Sequence, residues 1–226
     1  MKYKDIEHLL EDGEGFEVEF KRKVSSAEKV ARTLSAFANT KGGMVLFGVD
    51  DDGSIVGVES EKEEVELIHT ACAYYCDPPI TPRIDIVAYK GKDIITVQIE
   101  ESREKPHYAI QQTGGNGEEG TRVFIRVKDK TVAASKEVVR ILEAESPDAP
   151  PLRISIGEPE RRLMDYLEVH ERITVDEFGD LVNISKRRAS RILIQLVRAG
   201  VLRIHTHEKR DFYTLAFDME RRSVGR

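Results

Sequence analysis

Two stretches of the 226-residue chain gather side chains whose types and spacing suit chemistry. The first is GEGFEVEFKR, residues 13–22, where Glu14, Glu17 and Glu19 fall close together; DDDG, residues 50–53, adds Asp50, Asp51 and Asp52. Carboxylates held together bind a divalent cation, which activates water and offsets the charge of a phosphodiester under attack. Carboxylates spread along a solvated strand do neither. Phe16, Val18 and Phe20 alternate with Glu17, Glu19 and Lys21, the period of a strand buried on one face, so both readings stand at this point.

The second stretch is ISKRRASRILIQLVRAG, residues 184–200. On a helix, Ala189, Ile192, Leu193, Leu196 and Val197 form the core stripe, while Arg187, Arg191, Gln195 and Arg198 share another face. Lys186 and Arg188 stand at its N-terminal end, where a recognition helix meets bases and phosphates. Arginine pairs bidentately with guanine and glutamine with adenine. His205, His207, Lys209 and Arg210 follow on a hairpin expected to turn near Glu208 and Lys209, suited to backbone phosphate. The reading is double-stranded DNA binding. Its alternatives are a solvated face, with Arg198 complementing the helix dipole, and a protein-interaction module.

These side chains need elements to hold them. SPDAPPLR, residues 146–153, carries three prolines in a polar context and marks a boundary. The expected organisation is an α+β domain over residues 1–146, a proline-rich linker over 147–156 and a second domain over 157–226. In the first, Ser25 and Glu28 form a capping-box pattern before a helix through Phe37. GGMVLFGV is a buried strand, SIVGV a short one, RIDIVAY and DIITVQIE a hairpin, and TRVFIRV a later strand, giving a substantial sheet. Ser135 caps a final helix to Glu145. The second domain reads helix, strand (RITV), helix, helix, hairpin, the order of a winged helix-turn-helix.

Composition bounds the rest. The chain is 40% hydrophobic and 34% charged, the profile of a folded globular protein. The N-terminus lacks a secretory pattern, and no apolar run reaches the ~20 residues of a membrane span. The expectation is a cytoplasmic protein without a membrane partner. Net charge is −6. Residues 157–226 carry 14 Lys and Arg against 12 Asp and Glu, so the acidity lies in the front half. A nucleic-acid footprint must therefore be local. His69, Cys72 and Cys76 share a helical face, but three ligands without a fourth make poor zinc spacing; core thiols are the better reading. TGGNGEEG, residues 113–120, lacks the lysine of a phosphate loop and reads as a hairpin loop.

VEFK (18–21), SAFANTKGGMVLFGVDDDG (35–53), DPPITP (77–82) and FIRVKDKTVAAS (124–135) together resemble the Schlafen AlbA-like domain, in that family's order, over roughly residues 12–145. The resemblance implies a mixed sheet with flanking helices. A following winged helix is common in prokaryotic members regarded as DNA-binding transcriptional regulators. In vertebrate relatives it also implies a Mg²⁺- or Mn²⁺-dependent endoribonuclease acting on structured RNA (tRNA and rRNA). Its three acidic residues fall here on Glu14, Glu19 and Asp51 as metal ligands and catalytic groups. At ~3.3 Å per residue a straight strand would separate Glu14 from Glu19 by about 16 Å and put them on opposite faces. The triad therefore requires Glu14 to lie off the strand, with Gly13 and Gly15 bending the chain. KDK at 128–130 replaces a GSS-type turn, so Lys128 and Lys130, with Lys21, Lys23, Lys41 and Arg126, are expected to line a phosphate path. Vertebrate relatives place two such lobes in one chain around a basic groove; one lobe here implies a homodimer.

Overall fold

The computed structural model describes residues 3–113, 118–147, 149–207 and 210–216. Residues 114–117 of the expected loop at 113–120, and the expected turn at Glu208 and Lys209, lie outside the described residues. The chain divides into two compact units, residues 1–134 and 135–226.

The first unit opens with α1 (Tyr3–Asp12), β1 (Val18–Lys21), α2 (Ala27–Ala38) and β2 (Gly42–Phe47). The capping residue of α2 is Ser26, one position later than the sequence pattern suggests. Its hydroxyl accepts from the Lys29 amide. Then come α3 (Glu61–Tyr74), β3 (Cys76–Asp77), β4 (Arg83–Tyr89), β5 (Lys92–Glu100), β6 (Tyr108–Thr113), β7 (Glu118–Val127) and β8 (Lys130–Ala133). SIVGV forms a single bridge, Val49 to Ile55, rather than a strand.

Instead of one sheet there are two. β1-β2-β5-β4 is mixed, with β1 and β2 parallel and the remaining pairs antiparallel; β3-β6-β7-β8 is antiparallel throughout. Helix α2 packs against both sheets, which is why it is buried almost all round. Leu34 and Phe37 join Val45, Val97 and Ile99 of the mixed sheet. The small Ala36 admits Ala109 and Phe124 of the second sheet. On the other face of the mixed sheet, Ile6 of α1 covers Phe20, Leu46 and Ile94. Gly43 has no alternative residue. A Cβ there would stand 2.5 Å from the Phe37 ring and 2.5 Å from the Glu17 carbonyl, and its φ is +152°.

The second unit begins with α4 (Lys136–Glu145), capped by Ser135, and continues through α5 (Glu158–Val169), α6 (Val175–Leu181), α7 (Lys186–Arg198), β9 (Leu202–His205) and β10 (Phe212–Leu215). The division falls before α4, not in the proline-rich segment. The reason is that α4 packs on α7, where the Ser190 hydroxyl donates to Glu137 at 2.8 Å, and Val138 and Leu142 are buried. RITV contributes only a bridge, Ile173 to Tyr213. Leu163, Phe178, Leu193, Leu202 and Tyr213 form this unit's core. No helix among the described residues is long and apolar enough to cross a membrane.

Candidate functional site

The strand signal of GEGFEVEF starts later than the alternation suggests. β1 begins at Val18, Phe16 is 37% exposed, and Glu19, which the alternation leaves open between a solvated face and a metal site, is buried. Its partner explains this. Arg126 reaches Glu19 through Nη1, which also donates to Thr131 Oγ1 at 3.0 Å. Nη2 donates to the carbonyls of Gly15 at 2.7 Å and Asp129 at 3.0 Å, and Nε to that of Phe16 at 3.4 Å. A guanidinium has five N–H groups, and each finds an acceptor. Its flat face lies 4.7 Å from the centre of the Phe37 ring, and its backbone amide donates to Thr40 Oγ1 at 3.0 Å. Lys21 Nζ, 2.5 Å from Glu19 Oε1, adds a second cation. Arg126 is therefore the bolt of this unit, not part of a phosphate path.

Glu14 does lie off the strand, as a triad would need. Gly13 adopts φ +76°, and Glu14 Oε1 accepts from the Phe20 amide at 2.8 Å, serving the edge of β1 that faces away from β2. Asp51 sits in the turn after β2. Its neighbours are committed locally: Asp50 to Arg22 at 2.9 Å and Asp52 to Ser54, whose hydroxyl and then whose amide, 2.8 Å away, hold the Asp52 carboxyl below its usual range. Among the described residues, no three His, Cys, Asp or Glu side chains are grouped to hold a metal ion. As placed, Glu14, Glu19 and Asp51 do not fit the divalent cation that the resemblance implies, because Glu19 is already neutralised by two cations. Cys72 and Cys76 are buried and free, and burial pushes the Cys72 thiol up to about 12.

A second anchor was invisible in the sequence. Asn39, at the end of α2, donates through Nδ2 to the carbonyls of His107 (2.8 Å) and Phe124 (3.0 Å) and accepts from the His107 amide at 2.7 Å. The His107 ring is held in turn: Nδ1 donates to the Pro78 carbonyl at 2.7 Å. Burial lowers its pKa, so the neutral ring is favoured. Lys41 is paired with Glu101 at 3.3 Å. Lys128 takes φ +56° in the tight turn joining β7 to β8 and is exposed, as is Lys130.

In the second unit, α7 has two buried faces. Ala189, Ile192, Leu193 and Leu196 enter the core, and Ser190 and Ile194 are also buried. What remains is basic. Arg187, Arg188 and Arg191 are exposed and have no acidic partner among the described residues. The other expected contacts are committed or set back. Lys186 pairs with Asp176 at 2.7 Å, Arg198 donates to the Pro150 carbonyl at 3.0 Å, and Gln195 is half-buried. His205 is exposed and lies 2.9 Å from Thr214 Oγ1 through Nε2; His207 and Arg210 are exposed, and Lys209 lies outside the described residues. Asn183, at φ +52°, turns the chain between α6 and α7, and the Ile184 amide donates to Gly179.

The family model for Schlafen, AlbA_2 matches residues 14–135, more than half of the chain. The chain belongs to the Schlafen AlbA_2 family. A comparison with curated proteins found no match. Among solved structures it is similar to the DIP2311 protein of Corynebacterium diphtheriae, at 19% identity and TM-score 0.47, over 73% of this chain and 36% of that one. It is also similar to the N-terminal domain of a putative ATP-dependent DNA helicase RecG-related protein from Nitrosomonas europaea. There the values are 20% identity and TM-score 0.43, over 70% of this chain and 97% of that one. Three of the four segments that carry the AlbA_2 resemblance meet at the Arg126 hub: Glu19 from VEFK, Phe37 and Thr40 from SAFANTKGG, Arg126 and Thr131 from FIRVKDKT. In this chain the motifs build an internal joint before they build anything else.

Proposed function

We propose that this AlbA_2 protein is a DNA-binding transcriptional regulator whose second unit works as a winged helix-turn-helix, with α6 and α7 as the helix pair and β9–β10 as the wing. The observation that carries the reading is the exposed row of Arg187, Arg188 and Arg191 on α7, without acidic partners among the described residues, on a helix anchored by its buried Ala189, Ile192, Leu193 and Leu196. Charge kept free on the one open face of a docked helix suits a groove. Family membership supports a nucleic-acid-related role for the first unit, as sensor or dimerisation lobe. The working unit in this reading is a homodimer reading two half-sites about 34 Å apart.

The test is duplex binding by fluorescence anisotropy over a salt series. Arg187→Ala with Arg191→Ala should weaken binding by about 1–3 kcal/mol for each arginine–base pairing removed. The salt slope should shrink in proportion to the phosphates no longer neutralised. Unchanged affinity overturns the assignment. Light scattering near 51 kDa, twice the 25.6 kDa chain, supports the dimer, and a monomer with and without DNA removes it.

A further inference from the structure

The register of the β9–β10 hairpin sorts its side chains into two faces. Leu202, Ile204, Tyr213 and Leu215 pack on the core of the second unit. The alternating positions Arg203, His205, Phe212 and Thr214 then stand on the opposite face, with Phe212 paired to His205 and Thr214 to Arg203. On the far side of β10 the chain at Ile173 forms a single bridge, with the Ile173 and Tyr213 amides each donating to the other's carbonyl at 3.0 and 2.8 Å. Neighbouring side chains from β9, β10 and the bridging segment are thereby stacked. The Arg172 guanidinium lies 5.3 Å from the centre of Phe212, and the Phe212 and His205 rings are parallel within 6° at 4.8 Å. His205 is held upright by its contact with Thr214 at 2.9 Å.

This stack ends at the free edge of β9, since β9 pairs only with β10 among the described residues. His205 is exposed there, one ring face against Phe212 and the other turned to the edge, with Arg203 beside it. A fixed, open aromatic face flanked by cations suits a planar group on a polyanion. We infer that the outer face of this hairpin binds single-stranded nucleic acid, taking an unpaired base against His205 as the next layer of the Arg172–Phe212–His205 stack. The inference rests on the reading of the second unit as a nucleic-acid-binding unit and extends it from duplex to duplex–single-strand junctions. The sequence suggested phosphate contacts from the two hairpin histidines; only the strand register turns His205 into a stacking surface and brings in Arg172 and Phe212.

The experiment uses the full chain and three fluorescent probes: a blunt duplex, the same duplex with a single-stranded thymidine tail, and the same duplex with an abasic tail of equal length and charge. The thymidine tail should tighten binding about fivefold or more, the scale of base–aromatic stacking, and the abasic tail should add little. His205→Ala should erase that gain, so that the thymidine-tailed and abasic-tailed probes bind alike, and His205→Phe should keep it. Arg187→Ala with Arg191→Ala should weaken all three probes alike. Equal gains from the thymidine and abasic tails, no gain from either, or a thymidine gain that survives in His205→Ala would each overturn the stacking site and leave the α7 reading intact. If the wild-type chain binds no probe, both readings fall.

Discussion

Arg126 and Arg187 are the same residue used in opposite ways. Arg126 is buried, all five of its donors are matched, and its charge is cancelled by Glu19. Arg187 is exposed on α7 and keeps its charge open, as Arg188 and Arg191 do. The difference teaches where to look for function in this chain. The first unit commits Glu19 and Arg126 of its motifs to its own joint, and the second leaves Arg187, Arg188 and Arg191 exposed. A buried ion pair adds little net stability, because desolvation offsets the attraction, but removing one partner strands a charge in the interior. Mutation should therefore show in stability in the first region and in affinity in the second.

The largest effect is expected at the joint. Arg126→Ala leaves Glu19 buried beside a single cation and frees the carbonyls of Gly15, Phe16 and Asp129. It should cost about 3–5 kcal/mol in chemical denaturation of the first unit. Arg126→Lys should rescue little of this, since an ammonium cannot reproduce the forked contacts. A loss under about 1 kcal/mol, the scale of an exposed ion pair, would end the contrast with Arg187. Gly43→Ala comes next, because a Cβ has no room against Phe37 and Glu17. The expected loss is about 1–3 kcal/mol.

In the second unit, Glu137→Ala removes the acceptor of the buried Ser190 hydroxyl and should destabilise by about 1–3 kcal/mol. That result would show that α4 is structurally part of this unit. By contrast, Arg187→Ala with Arg191→Ala should leave stability within about 0.5 kcal/mol while weakening DNA binding. A melting-temperature drop comparable to that of Arg126→Ala would mean that the α7 arginines, too, are structural.

The finest test is pH. Burial lowers the His107 pKa below its ordinary 6.5, so the unfolded chain binds the proton more readily. His107's contribution to stability is thus complete above pH 6.5 and declines as pH falls through that value toward the folded-state pKa. Denaturation midpoints should show this decline in the wild-type chain and less of it in His107→Gln. No difference between the two would free the ring from its buried role.

Some of this was legible in the residues alone. Helix α7 followed from its apolar spacing, because helix periodicity is a local property. The β4–β5 hairpin followed from two apolar runs around a short polar turn, with Lys90 and Gly91 both at positive φ. The motif segments indicated the AlbA_2 family, and Gly13 announced the bend that takes Glu14 off the strand.

The use of each charge was not legible, because it depends on partners distant in the chain. Glu19 sits at a position that alternation assigns to solvent. It is buried only because Arg126, 107 residues away, is folded against it. The same holds for α4, whose sequence neighbours suggest the first domain but whose Glu137 meets Ser190, 53 residues on. It holds for His205, whose stack with Phe212 and Arg172 exists only through strand register. Sequence determined the elements and the family, since those rest on short-range geometry and ordered motifs. Tertiary structure alone decided which carboxylate is neutralised and which arginine remains open, since burial and pairing are properties of distant segments brought together.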